Sequence, residues 1–139
     1  MRYLKYTTIK NILDRSIALI SLIILLPLFL IFSLLVRLEL GRPIFFVQER
    51  PGYKCKLFGL IKFRTMREMN NKEKFNEDNI RISSLGKFLR ATSIDELPSL
   101  FNIIKGDMSF VGPRPFVKKY LKFYNDEQLR RHDVKPGIT

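Results

Sequence analysis

Two adjacent carboxylates, Asp95 and Glu96, are the residues of this sequence best suited to chemistry. They follow Arg90 and precede an apolar helical pattern, so they place negative charge at a predicted helix start in a strongly basic chain. The first backbone N–H groups of a helix have no partner inside the helix and favour anions. A structural explanation stays open, because Ser93 and Glu96 have the spacing of a capping box. Asp95 and Glu96 are therefore candidates either for catalysis or for helix capping alone.

Cations elsewhere in the chain could bind the anionic group on which such carboxylates would act. Lys62 and Arg64 stand two residues apart, and therefore on one face of a predicted strand. Arg114 lies between two prolines that fix the backbone around it, an arrangement that aims a planar guanidinium. Ordinary explanations stay open for both, namely a solvated strand edge for the pair and a rigid exposed turn for Arg114. Both are candidates for an anion-binding site.

The composition indicates anionic partners and excludes several kinds of site. The chain has 139 residues and a formal charge of +12, most of it after residue 36. Nucleic acid, an acidic membrane surface and a phosphate-bearing substrate all fit such a charge. A single cysteine, Cys55, and a single histidine, His132, cannot supply an internal disulfide or a zinc ligand set. Because His132 lies in a charged run that predicts a solvated surface, a Ser-His-Asp or Cys-His centre is not expected.

The N-terminal part of the chain is predicted to be a membrane anchor. Ile17–Val36 carries no charge and, at about 1.5 Å per residue, is long enough for the roughly 30 Å core of a bilayer. Pro27 interrupts this run near its middle and predicts a break, because an interior proline removes a helix hydrogen bond. Basic residues flank both ends, and the positive-inside rule draws both ends to the cytoplasmic side. We predict an anchor over residues 1–40, with a re-entrant bend and a kinked single span both open.

Residues 41–139 are predicted to form a cytosolic domain. Ile44–Gln48 and Lys56–Phe63 have the composition of strands, and Arg50–Tyr53 that of a turn, which together predict a β-hairpin. Asn70–Asn79 is polar and without periodicity, and we predict a loop there. The predicted fold class is α+β, with a proline-broken N-terminal membrane helix followed by a small, mainly helical domain that contains a short β-hairpin.

Helical patterns occupy the second half of the sequence. Leu85–Leu89 predicts a short amphipathic helix, and a helix that follows the two carboxylates is predicted to end at Lys105, before Gly106. Pro98 delays or distorts the start of that second helix. Phe116–Tyr124 has apolar groups at helical spacing with lysines between them. This last segment fits either a membrane interface or an ordinary core-facing helix.

Several motifs, in this order, resemble those of the bacterial sugar transferase family, the monotopic polyprenyl-phosphate phosphoglycosyl transferases. The resemblance covers the whole chain, and the conjunction of motifs is specific although each motif alone is not. The motifs are the broken N-terminal segment, Lys62-Phe63-Arg64-Thr65-Met66, Ser93-Ile94-Asp95-Glu96-Leu97-Pro98, Lys105-Gly106-Asp107-Met108-Ser109-Phe110-Val111-Gly112-Pro113-Arg114-Pro115 and Lys135-Pro136-Gly137-Ile138-Thr139.

The resemblance implies a reaction and a cofactor. Such enzymes move a phosphosugar from a UDP-sugar to undecaprenyl phosphate with Mg2+, in the first membrane step of surface glycan assembly. The aspartate of an Asp-Glu pair forms a covalent intermediate, and that aspartate is Asp95 here. Glu96 would hold the metal together with Asp95 or orient the nucleophile, and these two roles stay open.

The resemblance also implies how the phosphates are bound and where the protein acts. Arg90 and Arg114 match family positions for phosphate contacts, and Lys62 and Arg64 join them as candidate phosphate-binding residues. Pro27 would turn the N-terminal helix back to the cytoplasmic face of the bacterial inner membrane. The implied partners are the UDP-sugar, undecaprenyl phosphate and membrane lipid. Nucleic acid is not expected, and a homodimer is left open.

Two expectations limit this interpretation. Members of the family usually continue past the Pro-Gly-Ile-Thr element, so the resemblance implies a domain that is incomplete at its C-terminus and a short form that is weakly active or inactive. The alternative from another class is a non-catalytic, membrane-anchored basic module that binds anionic lipid or nucleic acid. A module that only binds anions through a basic surface does not require Asp95 and Glu96 near Arg90, and this favours the transferase.

Overall fold

A bent pair of helices opens the chain in the computed structural model, which describes residues 2–67 and 81–138. Helix α1 (Arg2–Ile24) and helix α2 (Leu26–Leu40) meet at Leu25, and the second helix departs by 67° from the direction of the first. Pro27 lies in the first turn of α2, where its missing N–H removes no helix hydrogen bond. The predicted break is therefore present. The loop predicted for Asn70–Asn79 lies outside the described residues.

The two helices present a large apolar surface to the outside. Ile24 is 69% exposed and Leu38 is 74% exposed, and many of their aliphatic neighbours are exposed as well. No described helix is by itself long and apolar enough to cross a bilayer, whereas Thr8–Ile24 and Leu26–Leu40 together meet that criterion as a bent pair. The membrane role of residues 1–40 stays a prediction.

The predicted hairpin is present, but its turn begins later than the sequence indicated. Strand β1 (Phe45–Pro51) pairs antiparallel with strand β2 (Leu57–Phe63), from Phe45 opposite Phe63 to Pro51 opposite Leu57. The turn predicted at Arg50–Tyr53 is wrong, since Arg50 and Pro51 belong to β1. A proline is tolerated at the end of a strand because no ladder hydrogen bond has to be donated there.

The outer edge of β2 is closed by side chains rather than by a third strand. Ile61 donates its N–H to Asn102 Oδ1 at 3.0 Å, and the amide of Asn102 donates to the carbonyl of Gly59 at 2.7 Å. Ser99 Oγ donates to the carbonyl of Ile61 at 2.9 Å. Asn102 and Ser99 are each 1% exposed, so water cannot replace them. The edge of the hairpin is thereby fixed to the segment that contains Ser99 and Asn102.

That segment consists of two short helices in succession. A 3-10 helix covers Ile94–Ser99, and helix α4 (Leu100–Lys105) continues from it. Gly106 ends α4 at φ 91°, a left-handed conformation that glycine adopts without strain, as the sequence predicted. Helix α3 (Ser84–Ala91) precedes them and confirms the predicted amphipathic helix around Leu85–Leu89.

Two apolar clusters pack on opposite faces of β2. Leu60 faces α1 and α4 in a cluster of buried residues that consists of Ala18, Leu60, Leu100, Ile103 and Met108. Phe63, three residues further along the strand, faces α2 and α3 in a cluster that consists of Phe32, Val36, Phe63 and Leu89. Side chains three apart on a strand point to opposite faces, so one strand contacts both N-terminal helices. Each arm of the bent pair is therefore packed against the domain.

Short helical turns complete the described chain. They are a 3-10 helix at Lys118–Phe123, helix α5 (Asp126–Leu129) and a 3-10 helix at Arg130–Asp133. The predicted solvated position of His132 is wrong, because its ring is 6% exposed, stacks on Tyr124 and places Nδ1 3.0 Å from the carbonyl oxygen of Gly52. The architecture is a mixed, mainly helical domain with a two-stranded antiparallel hairpin, and this confirms the predicted α+β composition.

We expect the edge contacts to dominate the stability of the domain. Asn102→Ala leaves a buried N–H and a buried C=O unpaired and should lower the free energy of unfolding by about 2–4 kcal/mol. Ser99→Ala removes the hydroxyl that donates to the carbonyl of Ile61 and should lower the free energy of unfolding by about 1 kcal/mol. Ser16→Ala, at an exposed position of α1, is the matched control and should change it by less than about 0.5 kcal/mol. Thermal or denaturant unfolding measures all three, and an Asn102→Ala variant as stable as the control would contradict the account.

Candidate active site

Asp95 and Glu96 lie in the 3-10 helix Ile94–Ser99 and not at the capped start of an α-helix. Ser93 adopts a left-handed conformation with φ 57°, and its side chain caps nothing. Glu96 donates its N–H to the carbonyl of Ser93 at 3.1 Å, which closes a single tight turn. The capping-box explanation is therefore wrong for this segment. Pro98 inside it fits the distorted start that the sequence predicted.

Lys62 joins the two carboxylates from strand β2. Its Nζ lies 2.6 Å from Glu96 Oε1 and 3.8 Å from Asp95 Oδ2. The three side chains are mostly shielded from solvent, with exposed fractions of 23%, 15% and 12% for Lys62, Glu96 and Asp95. The partly buried ammonium group thus neutralises part of the charge of two neighbouring acids. The structure brings together three of the predicted site residues at this point.

Arg114 contacts the same carboxylate oxygen of Glu96 as Lys62 does. Its Nη2 lies 2.5 Å from Glu96 Oε1, and its side chain is 63% exposed. The backbone around it is held by two other arginines, since Arg131 donates to the carbonyl of Arg114 at 2.9 Å and Arg50 donates to that of Pro115 at 3.1 Å. The loop therefore fixes the backbone of Arg114 while its guanidinium stays open to solvent.

Arg90 and Arg64 have different positions relative to the carboxylates. Arg90 Nε donates to Thr65 Oγ1 at 3.0 Å, and its charge favours the ionised form of Asp95. Arg64 is 8% exposed and donates to the backbone carbonyls of Met66 at 3.0 Å and Arg42 at 2.9 Å. The structure thus places Arg90 close to Asp95, whereas Arg64 binds the backbone around the strand end. A phosphate-binding role for each of them stays a prediction.

Burial raises the pKa of Asp95 above its ordinary value. Desolvation is the largest cause, and the neighbouring charge of Glu96 acts in the same direction. The cations Lys62 and Arg90 oppose this effect but do not cancel it. A carboxylate with a raised pKa is more basic than an exposed one. Asp95 is therefore suited to act as a nucleophile.

A pocket lies beside the carboxylates and contains a cation that the sequence analysis missed. Arg50 lines it together with Lys62, Glu96 and Arg114, above apolar residues that comprise Leu60, Met108 and Ile138. Arg50 donates to Gln48 Oε1 at 2.6 Å. Its pKa is lowered first by burial and then by the nearby positive charge of Arg114. Two guanidinium groups thus lie close together in the pocket, an arrangement that favours a bound anion.

The signal that could have identified Arg50 is the register of the hairpin. Gln48 lies opposite Leu60 and Arg50 lies opposite Phe58, so all four side chains share the face of β2 that carries Lys62. The assignment of Arg50 to a turn removed it from that face. A strand that extends to Pro51 would have placed it beside Lys62.

The arrangement can bind a polyanion and attack it. Three cations and Glu96 line the pocket, and Asp95 is the neighbour of Glu96 in the chain. Within residues 2–67 and 81–138, no group of three or more His, Cys, Asp or Glu side chains could by itself hold a metal ion. Asp95 and Glu96 nevertheless fit Mg2+, which binds through one or two carboxylates together with substrate phosphates and water. The chemistry that this geometry supports is phosphoryl transfer through a carboxylate.

Comparison with protein families gives one match that covers almost the whole chain. The family model described as bacterial sugar transferase matches residues 5–139. A Bacillus subtilis (strain 168) protein described as an uncharacterized sugar transferase, EpsL, is 46% identical over 132 residues, which are 94% of this chain and 65% of that protein.

Two further relatives carry names that state a reaction. A Xanthomonas campestris pv. campestris UDP-glucose:undecaprenyl-phosphate glucose-1-phosphate transferase is 37% identical over 96% of this chain and 29% of its own length. An Aeromonas hydrophila UDP-N-acetylgalactosamine-undecaprenyl-phosphate N-acetylgalactosaminephosphotransferase is 36% identical over 96% of this chain and 33% of its own length. The chain thus spans from less than a third to just under two thirds of the length of these curated relatives.

We expect the buried charge of Asp95 to weaken the fold at neutral pH. Because its pKa is raised above 3.8, the native state binds the proton more tightly than the unfolded state, and stability falls as pH rises from 3.8 through the raised pKa. Asp95→Asn removes this penalty and should raise the Tm at pH 7 by about 1–3 °C, with a smaller gain at pH 4. Thermal unfolding at the two pH values measures the difference.

Glu96→Gln is the matched control for this prediction. It removes a carboxylate that pairs with both Lys62 and Arg114, and it should not raise the Tm. If Asp95→Asn lowers the Tm at pH 7 by as much as Glu96→Gln does, the prediction is wrong. The attraction between Asp95 and its neighbouring cations would then outweigh the cost of burying its charge.

Proposed function

Because this chain belongs to the bacterial sugar transferase family, we propose that it transfers a phosphosugar from a UDP-sugar to undecaprenyl phosphate. The observation that carries the proposal is the partly buried pair Asp95 and Glu96, with Lys62 2.6 Å and Arg114 2.5 Å from Glu96 Oε1. The names of the Xanthomonas and Aeromonas relatives state a UDP-sugar and undecaprenyl phosphate as their substrates.

In the first step, the donor diphosphate lies in the pocket against Arg50, Lys62 and Arg114. A carboxylate oxygen of Asp95 attacks the phosphorus attached to the sugar. The new bond joins the Asp95 carboxylate oxygen to that phosphorus, and the bond to the bridging oxygen of UMP breaks. UMP leaves with the bonding electron pair, and the phosphosugar stays on Asp95. Cations that neutralise the phosphate oxygens are required, because an anionic nucleophile is otherwise repelled.

In the second step, an oxygen of undecaprenyl phosphate attacks the same phosphorus. The bond to the Asp95 oxygen breaks, the carboxylate is restored, and the phosphosugar becomes linked to the lipid through a diphosphate. The acceptor is already an anion at neutral pH and needs little help from a general base. The absence of a histidine from the described pocket lining is consistent with this reaction.

Mg2+ fits the proposed site through Asp95 and Glu96. Bound there, the ion would neutralise negative charge on the donor diphosphate and on the departing UMP. Glu96 already contacts Lys62 and Arg114, so it is the residue that joins the metal-binding group to the phosphate-binding cations. Asp95 keeps the role of nucleophile.

The proposed place of action is the cytoplasmic face of the bacterial inner membrane. The exposed aliphatic side chains of α1 and α2 and the 67° bend between these helices support a segment that enters and leaves the bilayer on one side. Basic residues on both sides of the segment favour the same arrangement. A lipid-linked acceptor requires such a location, because its phosphate lies at the membrane surface.

The experiment that tests this function is Mg2+-dependent release of UMP. The chain in lipid nanodiscs, supplied with UDP-glucose or UDP-N-acetylgalactosamine and undecaprenyl phosphate, should release UMP, and a chelator should abolish the release. Asp95→Asn should lower the rate by roughly 10³-fold, because it removes the nucleophile and keeps the volume of the side chain.

Glu49→Gln provides the control, since Glu49 is an exposed acid that pairs with Lys118 outside the pocket. We expect its rate to stay within about twofold of the unmodified chain. UMP release by Asp95→Asn at the unmodified rate would exclude Asp95 as the nucleophile. No release from any of several UDP-sugars would contradict the proposed transfer.

A further inference from the structure

A partly buried polar contact joins the N-terminal helix to the segment that leads to Arg114. Ser109 Oγ lies 2.8 Å from Asp14 Oδ2, although 95 residues separate them in the sequence. Lys10 donates to the same Asp14 oxygen at 2.7 Å and also contacts Ser109 Oγ. Ser109 is 3% exposed, so water has little access to its hydroxyl. A hydroxyl that donates to a carboxylate forms one of the stronger side-chain hydrogen bonds.

From Ser109 the contact continues through the backbone to the arginine loop. Ser109 donates its N–H to the carbonyl of Pro136 at 2.9 Å and accepts from the N–H of Ile138 at 3.3 Å. Gly137, between those two residues, donates its N–H to the carbonyl of Pro113 at 3.2 Å. Pro113 is bonded directly to Arg114. A continuous set of hydrogen bonds and covalent links thus connects Asp14 to the backbone of Arg114.

Close packing makes this connection stiff. At Gly112, a Cβ atom would overlap the carbonyl oxygen of Lys135 and would approach the backbone nitrogen of Gly137. The loop therefore lies against residues 135–137 with no room for a side chain. A displacement of either segment must move the other, because neither can slide past its neighbour.

Asp14 is also the counter-charge of a cationic cluster at this position. Lys135 lies near Arg15 and Lys10, whose charges lower its pKa after the larger effect of burial, while Asp14 and Asp107 oppose them. Arg15 donates to the carbonyl of Lys105 at the end of α4. Loss of Asp14 would leave these cations to repel one another, and the segment that carries Lys135 would move away from α1.

We propose that Asp14 is a positioning residue of the active site, which acts through Ser109 to hold the Gly112–Pro115 loop so that Arg114 reaches Glu96. The effect that loss of Asp14 has on kinetics rests on the proposed transfer, in which Arg114 binds the donor diphosphate. The effect on structure does not, because the loop should loosen whether or not the chain is a transferase. The two consequences can be measured separately on the same samples.

The test uses the full chain in lipid nanodiscs and two substitutions that remove the contact, Asp14→Ala and Ser109→Ala. Hydrogen exchange is followed at the backbone amides of Ser109, Gly137 and Ile138, without substrate. We expect these amides to exchange about tenfold faster in both variants. Ser109→Thr keeps the hydroxyl and should restore slow exchange. Asp126→Ala removes an exposed carboxylate from α5 and is the matched control.

Donor kinetics on the same variants distinguish positioning from a general loss of folded protein. A smaller folded fraction lowers kcat and leaves KM unchanged, whereas a displaced Arg114 weakens donor binding. We expect the KM for the UDP-sugar to rise about tenfold in Asp14→Ala and Ser109→Ala, and the double variant to show less than the product of the two changes.

Each outcome decides the proposal. Faster exchange together with a raised donor KM supports it. If the amides of Asp14→Ala and Ser109→Ala exchange no faster than those of the control, the proposal is wrong, whatever the kinetics show. If they exchange faster in an active chain but the KM for the donor is unchanged, the proposal is wrong as well. If the unmodified chain releases no UMP, the proposed transfer fails, and hydrogen exchange alone then decides whether Asp14 holds the loop.

Discussion

The outer edge of strand β2 is the constraint on which the rest of the structure depends. A two-stranded sheet leaves one row of backbone groups without a strand partner, and in a buried position these groups must be paired. Asn102 and Ser99 supply the partners and are themselves almost inaccessible to water. Because Ser99 ends the 3-10 helix of Asp95 and Glu96, the same contacts fix both acids next to Lys62. The hydrogen bonds that close the edge of β2 are therefore also the ones that position the acids of the site.

Charge balance determines what the assembled site can do. Burial raises the pKa of Asp95, while the charges of Lys62 and Arg90 act in the opposite direction. In the pocket lined by Glu96, burial and then the nearby charge of Arg114 lower the pKa of Arg50. Asp95 is thus the chain neighbour of Glu96, which lines a pocket together with two guanidinium groups that favour an anion. The proposed diphosphate donor would supply that anion, which connects the electrostatics with the family of the chain.

The sequence predicted the features that depend on local chemistry. The helix break near Pro27, the hairpin, the end of α4 at Gly106 and the importance of the Asp95 and Glu96 pair follow from nearby residue types, and the structure confirms the first three. The predictions that were wrong concern the register of the strands and contacts between residues that are far apart in the sequence.

The turn was placed two residues too early, and Arg50 was thereby missed. The partners of Asn102 lie 41 and 43 residues away, and no local pattern reveals such contacts. His132 was assigned to the surface by its charged neighbours, although its ring packs on Tyr124.

The central claim is that Asp95 carries the phosphosugar during transfer, and peptide mapping of the donor-treated chain tests it most directly. The chain is incubated with Mg2+ and UDP-sugar without acceptor, quenched in acid and cleaved after Arg90 and Lys105. Fragmentation of the resulting peptide, residues 91–105, separates Asp95 from Glu96. The account predicts an added mass of one phosphosugar on Asp95, which disappears when undecaprenyl phosphate is supplied before the quench. A phosphosugar on Glu96, or UMP release with no modified peptide, would contradict it.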